Sequence, residues 1–329
     1  MNLHDNKALF DQAVRATAQK MDIPDIYIEK DYWVTYALHA IFHHEIGTQT
    51  VFKGGTALSK CFGLIERFSE DIDLVVLRED GESGGSLKKK ITAISNAVKA
   101  VMPEVNVEGL TRKMGMNRKT AHSYSKTFEG NFGQVRDVVV VEATWLGYFE
   151  PYVEKGVSTY IYEMMLDAGQ NDLIEEHGLS PFEVKVLHPK RSICEKIMSL
   201  VRFSYSENPI DDLKSKIRHT YDLHCLLQEQ ELKGFLDSKD FDQLLLQVAN
   251  DDVRSYPNNN EWLAYPPQQA LLFKNLDDAW KDLETTYSED FRNLVYGDLP
   301  TAEDVRKTLE LIKNRITKID WQVSIESKD

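Results

Sequence analysis

Apolar positions along the chain fall into two regimes. Through the first fifty residues Ile23, Ile26, Ile28, Trp33, Val34, Ala37 and Leu38 recur at helical spacing, with Pro24 near the expected helix start. Thr50-Val51-Phe52 is a short apolar run that meets Gly54-Gly55, and Thr56 to Leu64 suits a helix. Asp71 to Leu77 (DIDLVVL) is β-rich and of strand length. A Gly/Ser loop at 81–86 opens a helix expected over 87–101, followed by an extended stretch and a basic loop. Val135 to Trp145 (VRDVVVVEATW) reads as a central strand. Strands alternating with helices predict an α+β or α/β sheet domain.

From Pro189 the pattern is helical to the end. Ile193, Ile197, Leu200 and Val201 stand at i, i+4, i+7 and i+8 behind Pro189, a residue suited to the first helical position. Val305, Leu309, Ile312 and Ile316 repeat the spacing, and Thr301-x-x-Asp304 resembles a capping box. Two domains are therefore expected, 1–188 and 189–329, with residues 150–188 the stretch either could claim.

Composition narrows the class. In 329 residues, 42% hydrophobic and 28% charged, whole-chain disorder and fibrous repeats are excluded. Cys61, Cys194 and Cys225 are widely spaced, which argues against a zinc cluster or disulfide framework. His39 and His43 lie one helical turn apart, but no acidic third ligand follows in the H-E-x-x-H manner. The absence of an apolar leader and of any 18-residue uncharged run leads us to expect a cytoplasmic protein with no membrane span. Net charge is −14, yet residues 86–126 hold nine Lys and Arg against two Glu, a local +7 that leaves −21 elsewhere.

The chemistry concentrates in Lys53-Gly54-Gly55-Thr56-Ala57-Leu58-Ser59 and Arg67-Phe68-Ser69-Glu70-Asp71-Ile72-Asp73. A Gly-Gly turn between strand and helix lets backbone N–H groups approach an anion, with the positive helix end behind them and the Thr56 and Ser59 hydroxyls beside them. Asp71 and Asp73 alternate with Ile72, so both carboxylates project from one strand face. Such a pair repels itself unless a cation intervenes, and carboxylate oxygens suit Mg²⁺. Glu142, isolated among Val and Ala, is the candidate third acid for a two-metal site; an ion pair with Arg136 is the structural alternative.

The pairing of Gly-Gly-Thr with D-h-D-h is similar to the nucleotidyltransferase-fold superfamily. The longer stretch FKGGTALSKCFGLIERFSEDIDLVV resembles the AbiEii/AbiGii toxin family of bacterial abortive-infection and toxin–antitoxin systems. Ile28-Glu29-Lys30-Asp31-Tyr32-Trp33-Val34, Ile193-Cys194-Glu195-Lys196-Ile197 with Arg202, and Arg218-His219-Thr220-Tyr221-Asp222-Leu223 extend the resemblance over roughly residues 20–320. His219 departs from it, standing where an acidic or basic residue is expected.

The resemblance implies a nucleotidyltransferase-fold mixed sheet with N-terminal helices, and a helical C-terminal domain contributing to the active-site cleft. It implies transfer of NMP from an NTP to RNA, in the family the 3′ end of tRNA, and a cognate antitoxin encoded nearby. It assigns Lys196 to nucleotide phosphates and Asp222 to the catalytic set, orienting Lys196 or acting as base. The residues themselves leave open a snorkelling Lys196 and an Asp222–Arg218 ion pair. Arg67 and Ser69 are expected to hold triphosphate or order their loop, and Lys30-Asp31 to form an inter-helix salt bridge. Arg112, Lys113, Arg118 and Lys119, with His122, Tyr124 and Phe128 nearby, are the candidate RNA contacts. Other acceptors on the same chemistry are a protein side chain or a small hydroxylated molecule, and a catalytically silent binding module is the reading of a different class.

Overall fold

A computed structural model describes residues 1–129 and 136–325. The chain divides into two compact units, one of Met1–Gly63 with Arg67–Leu187, the other of Leu64–Glu66 with the chain from His188 onward.

The first unit is a mixed sheet with helices. Its strands are β1 (Thr50–Lys53), β2 (Asp71–Val76), β3 (Glu104–Val105), β4 (Arg112–Met114), β5 (Asn117–His122), β6 (Val139–Thr144), β7 (Tyr152–Val157) and β8 (Phe182–Leu187). They lie in the order β3-β5-β6-β2-β1-β8-β7, with β4 paired to β5. β2 runs parallel to β6 and β1 parallel to β8; the other pairs are antiparallel. Val51, Phe52, Ile72, Leu74, Val140, Val141 and Val186 form its buried centre. Of the expected central strand, Val135 lies outside the described residues.

Helices α1 (Lys7–Met21), α2 (Asp25–Phe42), α3 (Gly54–Phe62), α4 (Gly84–Lys99), α5 (Tyr160–Asp167) and α6 (Asn171–Glu176) complete the unit. Two expectations shift. α4 starts at Gly84 rather than 87, because Ser83 caps it by accepting from Ser86 N at 3.2 Å. The expected basic loop is the β4–β5 hairpin, whose second strand pairs along all of β6.

α2 is buried almost all round, charged residues included. Glu29 accepts from the Thr127 and Phe128 amides at 2.7 and 3.1 Å. Lys30 donates to the Arg136 and Val138 carbonyls, both at 2.6 Å, and pairs with Glu70 at 3.2 Å. Asp31 pairs with Lys60 of α3 and accepts from Tyr160 N at 3.0 Å. Asp31–Lys60 is thus a pair between helices, whereas Lys30 reaches β2's lead-in and the chain before β6. Full pairing is what makes three buried charges tolerable.

The second unit is helical: α7 (Pro189–Phe203), α8 (Pro209–Ser215), α9 (Ile217–Leu226), α10 (Gln230–Leu236), α11 (Lys239–Ser255), α12 (Leu271–Lys274), α13 (Leu276–Thr285) and α14 (Ala302–Ile316). Pro189 takes the first turn of α7, and Thr301 caps α14 by accepting from Asp304 N at 3.1 Å. Ile193, Ile197, Leu200, Val201, Val305, Leu309, Ile312 and Ile316 are all buried. No helix among the described residues is long and apolar enough to cross a membrane.

Candidate active site

β1 ends at Lys53 and α3 begins at once, so the chain turns within the two glycines. Gly54 has φ +83, in the left-handed region, and a Cβ there would lie 2.2 Å from Asp73 Oδ2. A Cβ on Gly55 would meet Arg67 Nη2 at 2.4 Å and Ser69 Oγ at 2.9 Å. Both glycines therefore make room for side chains arriving from the β2 segment. Among the described residues no side chain caps the start of α3, which leaves its first amides to other acceptors. Thr56 Oγ1 donates to the Asp71 carbonyl at 2.6 Å and lies 3.0 Å from Ser69 Oγ. Buried and so engaged, Thr56 ties α3 to β2 instead of offering a free hydroxyl. Ser59, Arg67 and Ser69 line one small cavity with Lys60 and Tyr160.

The acids are brought together by register. Lys53 pairs with Asp73, Asp73 with Glu142, and Glu142 with Lys119, a single row across β1, β2, β6 and β5. Directly paired residues share a face, so two carboxylates stand side by side between two ammonium groups, with Asp71 two positions down β2. Burial, then the charges of Asp71 and Glu142, push the Asp73 carboxyl up to about 7 against the pull of Lys53 and Lys119. Burial opposes the charge on Glu142 as well. Asn117 Nδ2 at 2.7 Å and Lys119 Nζ at 3.0 Å overcome it and hold that carboxyl below its ordinary value. Glu142 therefore pairs with Lys119, and Arg136 takes Asp71 at 2.9 Å and Glu70 at 3.3 Å.

The fold family implies a divalent cation, and the residues fit one in chemistry. The donors are all carboxylate oxygen, and Asp73 alone of the three accepts no hydrogen bond from any described residue. Asp71 and Glu142 are turned to their basic partners, so no three His, Cys, Asp or Glu side chains among the described residues already converge as ligands of one ion.

In the helical unit Lys196 Nζ lies 2.6 Å from Asp222 Oδ2 and 3.4 Å from His219 Nδ1, the pair buried. The alternative of a snorkelling Lys196 falls on that burial. The basic residues of the hairpin have mixed fates. Lys113 pairs with Glu104, Lys119 with Glu142, and Arg118 Nε donates to Ser95 Oγ at 2.6 Å, while Arg112 is exposed. The neighbouring aromatics are not displayed for stacking on a ligand: His122 and Phe128 are buried, and Tyr124 lies on Trp33 with ring centroids 5.6 Å apart.

Sequence reasoning missed Lys53 and Asn117 as partners of the acids, offered Arg136 to Glu142 where it pairs with Asp71 and Glu70, and placed Lys119 elsewhere. Lys53, next to Gly54, carried a local signal; the others depend on strand register, which leaves no mark in the sequence.

A glycine-opened helix packed on a D-x-D strand in a mixed sheet is the framework of a nucleotidyltransferase. The same class appears in a solved structure: MenT4, a nucleotidyltransferase toxin from Mycobacterium tuberculosis H37Rv, superposes with a TM-score of 0.53 at 16% identity, over 93% of this chain and 90% of that one. No curated protein sequence matches. The sequence profile described as nucleotidyl transferase AbiEii toxin, type IV toxin–antitoxin system, matches residues 36–312. The chain belongs to the AbiEii family of nucleotidyltransferase toxins.

Proposed function

We propose that the chain transfers NMP from an NTP to an RNA acceptor, the 3′ end of tRNA, in the cytoplasm, and that a cognate antitoxin restrains it. The observation that carries the reading is Asp73: a carboxylate that accepts no hydrogen bond from the described residues, pressed against Gly54 and flanked by Asp71 and Glu142.

The triphosphate takes the uncapped amides of Gly54, Gly55 and Thr56, with Ser59, Arg67 and Ser69 beside them. Asp71, Asp73 and Glu142 would hold Mg²⁺, in a two-metal site, which when bound neutralises phosphate charge and polarises the reacting oxygens. The acceptor hydroxyl oxygen forms its bond to the α-phosphorus as the bond to the pyrophosphate oxygen breaks. Its proton passes to Glu142, kept charged by Asn117 and Lys119. Within the helical unit Asp222 orients Lys196, a cation of the kind that suits phosphate. Arg112, Lys113 and Arg118 contribute positive charge to RNA, Arg112 from an exposed position, while Lys119 stays with Glu142.

Purified chain incubated with each α-labelled NTP, Mg²⁺ and total RNA tests this. Label should enter a tRNA-sized fraction with wild type and vanish with Asp73→Asn. Label on protein or on a small molecule instead would overturn the acceptor, and undiminished transfer by Asp73→Asn would overturn the site.

A further inference from the structure

The helical unit contains a second feature that the transfer chemistry does not use. Where the C-terminal ends of α7 and α11 meet the 259–265 segment there is a cavity of about 490 Å³, inside the ~300–1,000 Å³ range of small-ligand sites. Its walls are Arg202, Phe203, Tyr205, Tyr256, Trp262 and Tyr265. Two of these rings are costly to leave bare: Tyr265 is 52% exposed and Tyr205 37%. They stack nearly parallel on one another, 19° apart with centroids at 5.9 Å, and each remains partly open to solvent.

Arg202 gives the cavity its polarity. Its guanidinium stands 4.5 Å from the Tyr256 ring centre and 4.9 Å from that of Phe203. Among the described residues it makes no hydrogen bond and no ion pair, so its planar set of N–H donors is satisfied by nothing but aromatic faces. A second cation, Lys216, sits 4.9 Å from the other ring of that stack, Phe203. Ser206, Asn259 and Glu261 supply hydrogen-bonding groups at the rim.

Stacking platform, unpaired guanidinium and polar rim together describe a ligand with a planar heterocycle and an anion close to it. We propose that this cavity binds one nucleotide of single-stranded RNA, its base on the Tyr205–Tyr265 surface and its phosphate on Arg202. Base–aromatic stacking needs no particular sequence, since every base has a π-face, and a phosphate is the oxyanion that an arginine fork matches. The proposal rests on the RNA reading for its physiological occupant only. The cavity belongs to one unit, and its chemistry is independent of the acid row on β2 and β6.

The test is fluorescence anisotropy of a 5′-labelled ten-nucleotide single-stranded RNA on the full chain, without NTP or divalent ions. Tyr265→Ala and Tyr205→Ala, both at exposed positions, should each weaken binding between about fivefold and a hundredfold, while Tyr265→Phe keeps wild-type affinity. Arg202→Gln should weaken binding and reduce the salt slope by about one. Unchanged affinity in the Tyr205→Ala/Tyr265→Ala double variant, or equal affinity for an oligomer of abasic nucleotides, overturns the proposal. Labelled-NMP transfer to RNA is measured alongside. Wild type that binds with this pattern but labels no RNA leaves the cavity standing and overturns the acceptor. Labelling of RNA with a flat anisotropy series overturns the cavity alone.

Discussion

Gly54→Ala is the sharpest probe of how the turn and the acids depend on each other. Two costs attach to the added methyl. At φ +83 an L-residue pays about 1–2 kcal/mol of backbone strain, which any substitution there would carry. The methyl also arrives 2.2 Å from Asp73 Oδ2, so the carboxylate must retreat by about 1.2 Å to reach the 3.4 Å of ordinary contact. Misplacing a reacting group by ~1 Å costs on the order of a hundredfold in rate. Gly63→Ala separates the two costs, since Gly63 has φ +63 with no atom within 4 Å of an added Cβ. Labelled-nucleotide incorporation and urea unfolding are run on both variants. Both should lose similar stability, and Gly54→Ala alone should lose about two orders of magnitude in transfer rate. Equal activity in the two variants, or full activity in Gly54→Ala, would refute the claim that Gly54 exists to seat Asp73.

The raised Asp73 carboxyl makes a pH prediction. Because the native state holds this proton more tightly than the unfolded chain does, Asp73's contribution to stability in divalent-free buffer should be lost as pH rises from about 4 through about 7, and Asp73→Asn should remove that part of the pH dependence; a pH series of thermal midpoints that runs parallel in the two proteins would contradict it. Lys196→Met should cost about 3–5 kcal/mol by stranding the buried Asp222, and Lys196→Met/Asp222→Leu should recover most of that stability without recovering transfer, as read by urea midpoints and label incorporation. A double variant as unstable as the single would show that the pair is not what the stability depends on.

The amino-acid sequence alone determined several of the elements and the chemistry they carry. The apolar spacing in α7 and α14, Pro189 and Thr301 at helix starts, and the D-h-D strand were all legible, because periodicity and capping act within a few residues. The motif around Gly54-Gly55 and the family profile together specified the class. Tertiary structure decided which residue faces which. Only the parallel pairing of β2 with β6 sets Asp73 against Glu142, and only β5 in its register brings Lys119 and Asn117 to the same acid. A shift of one residue would turn every one of those side chains to the opposite face, yet it would leave the local sequence unchanged. The hairpin that looked like a loop and the buried charges of α2 belong with these: the hairpin owes its second strand to pairing with β6, and the α2 charges owe their burial to partners up to 129 residues away, which no local pattern encodes.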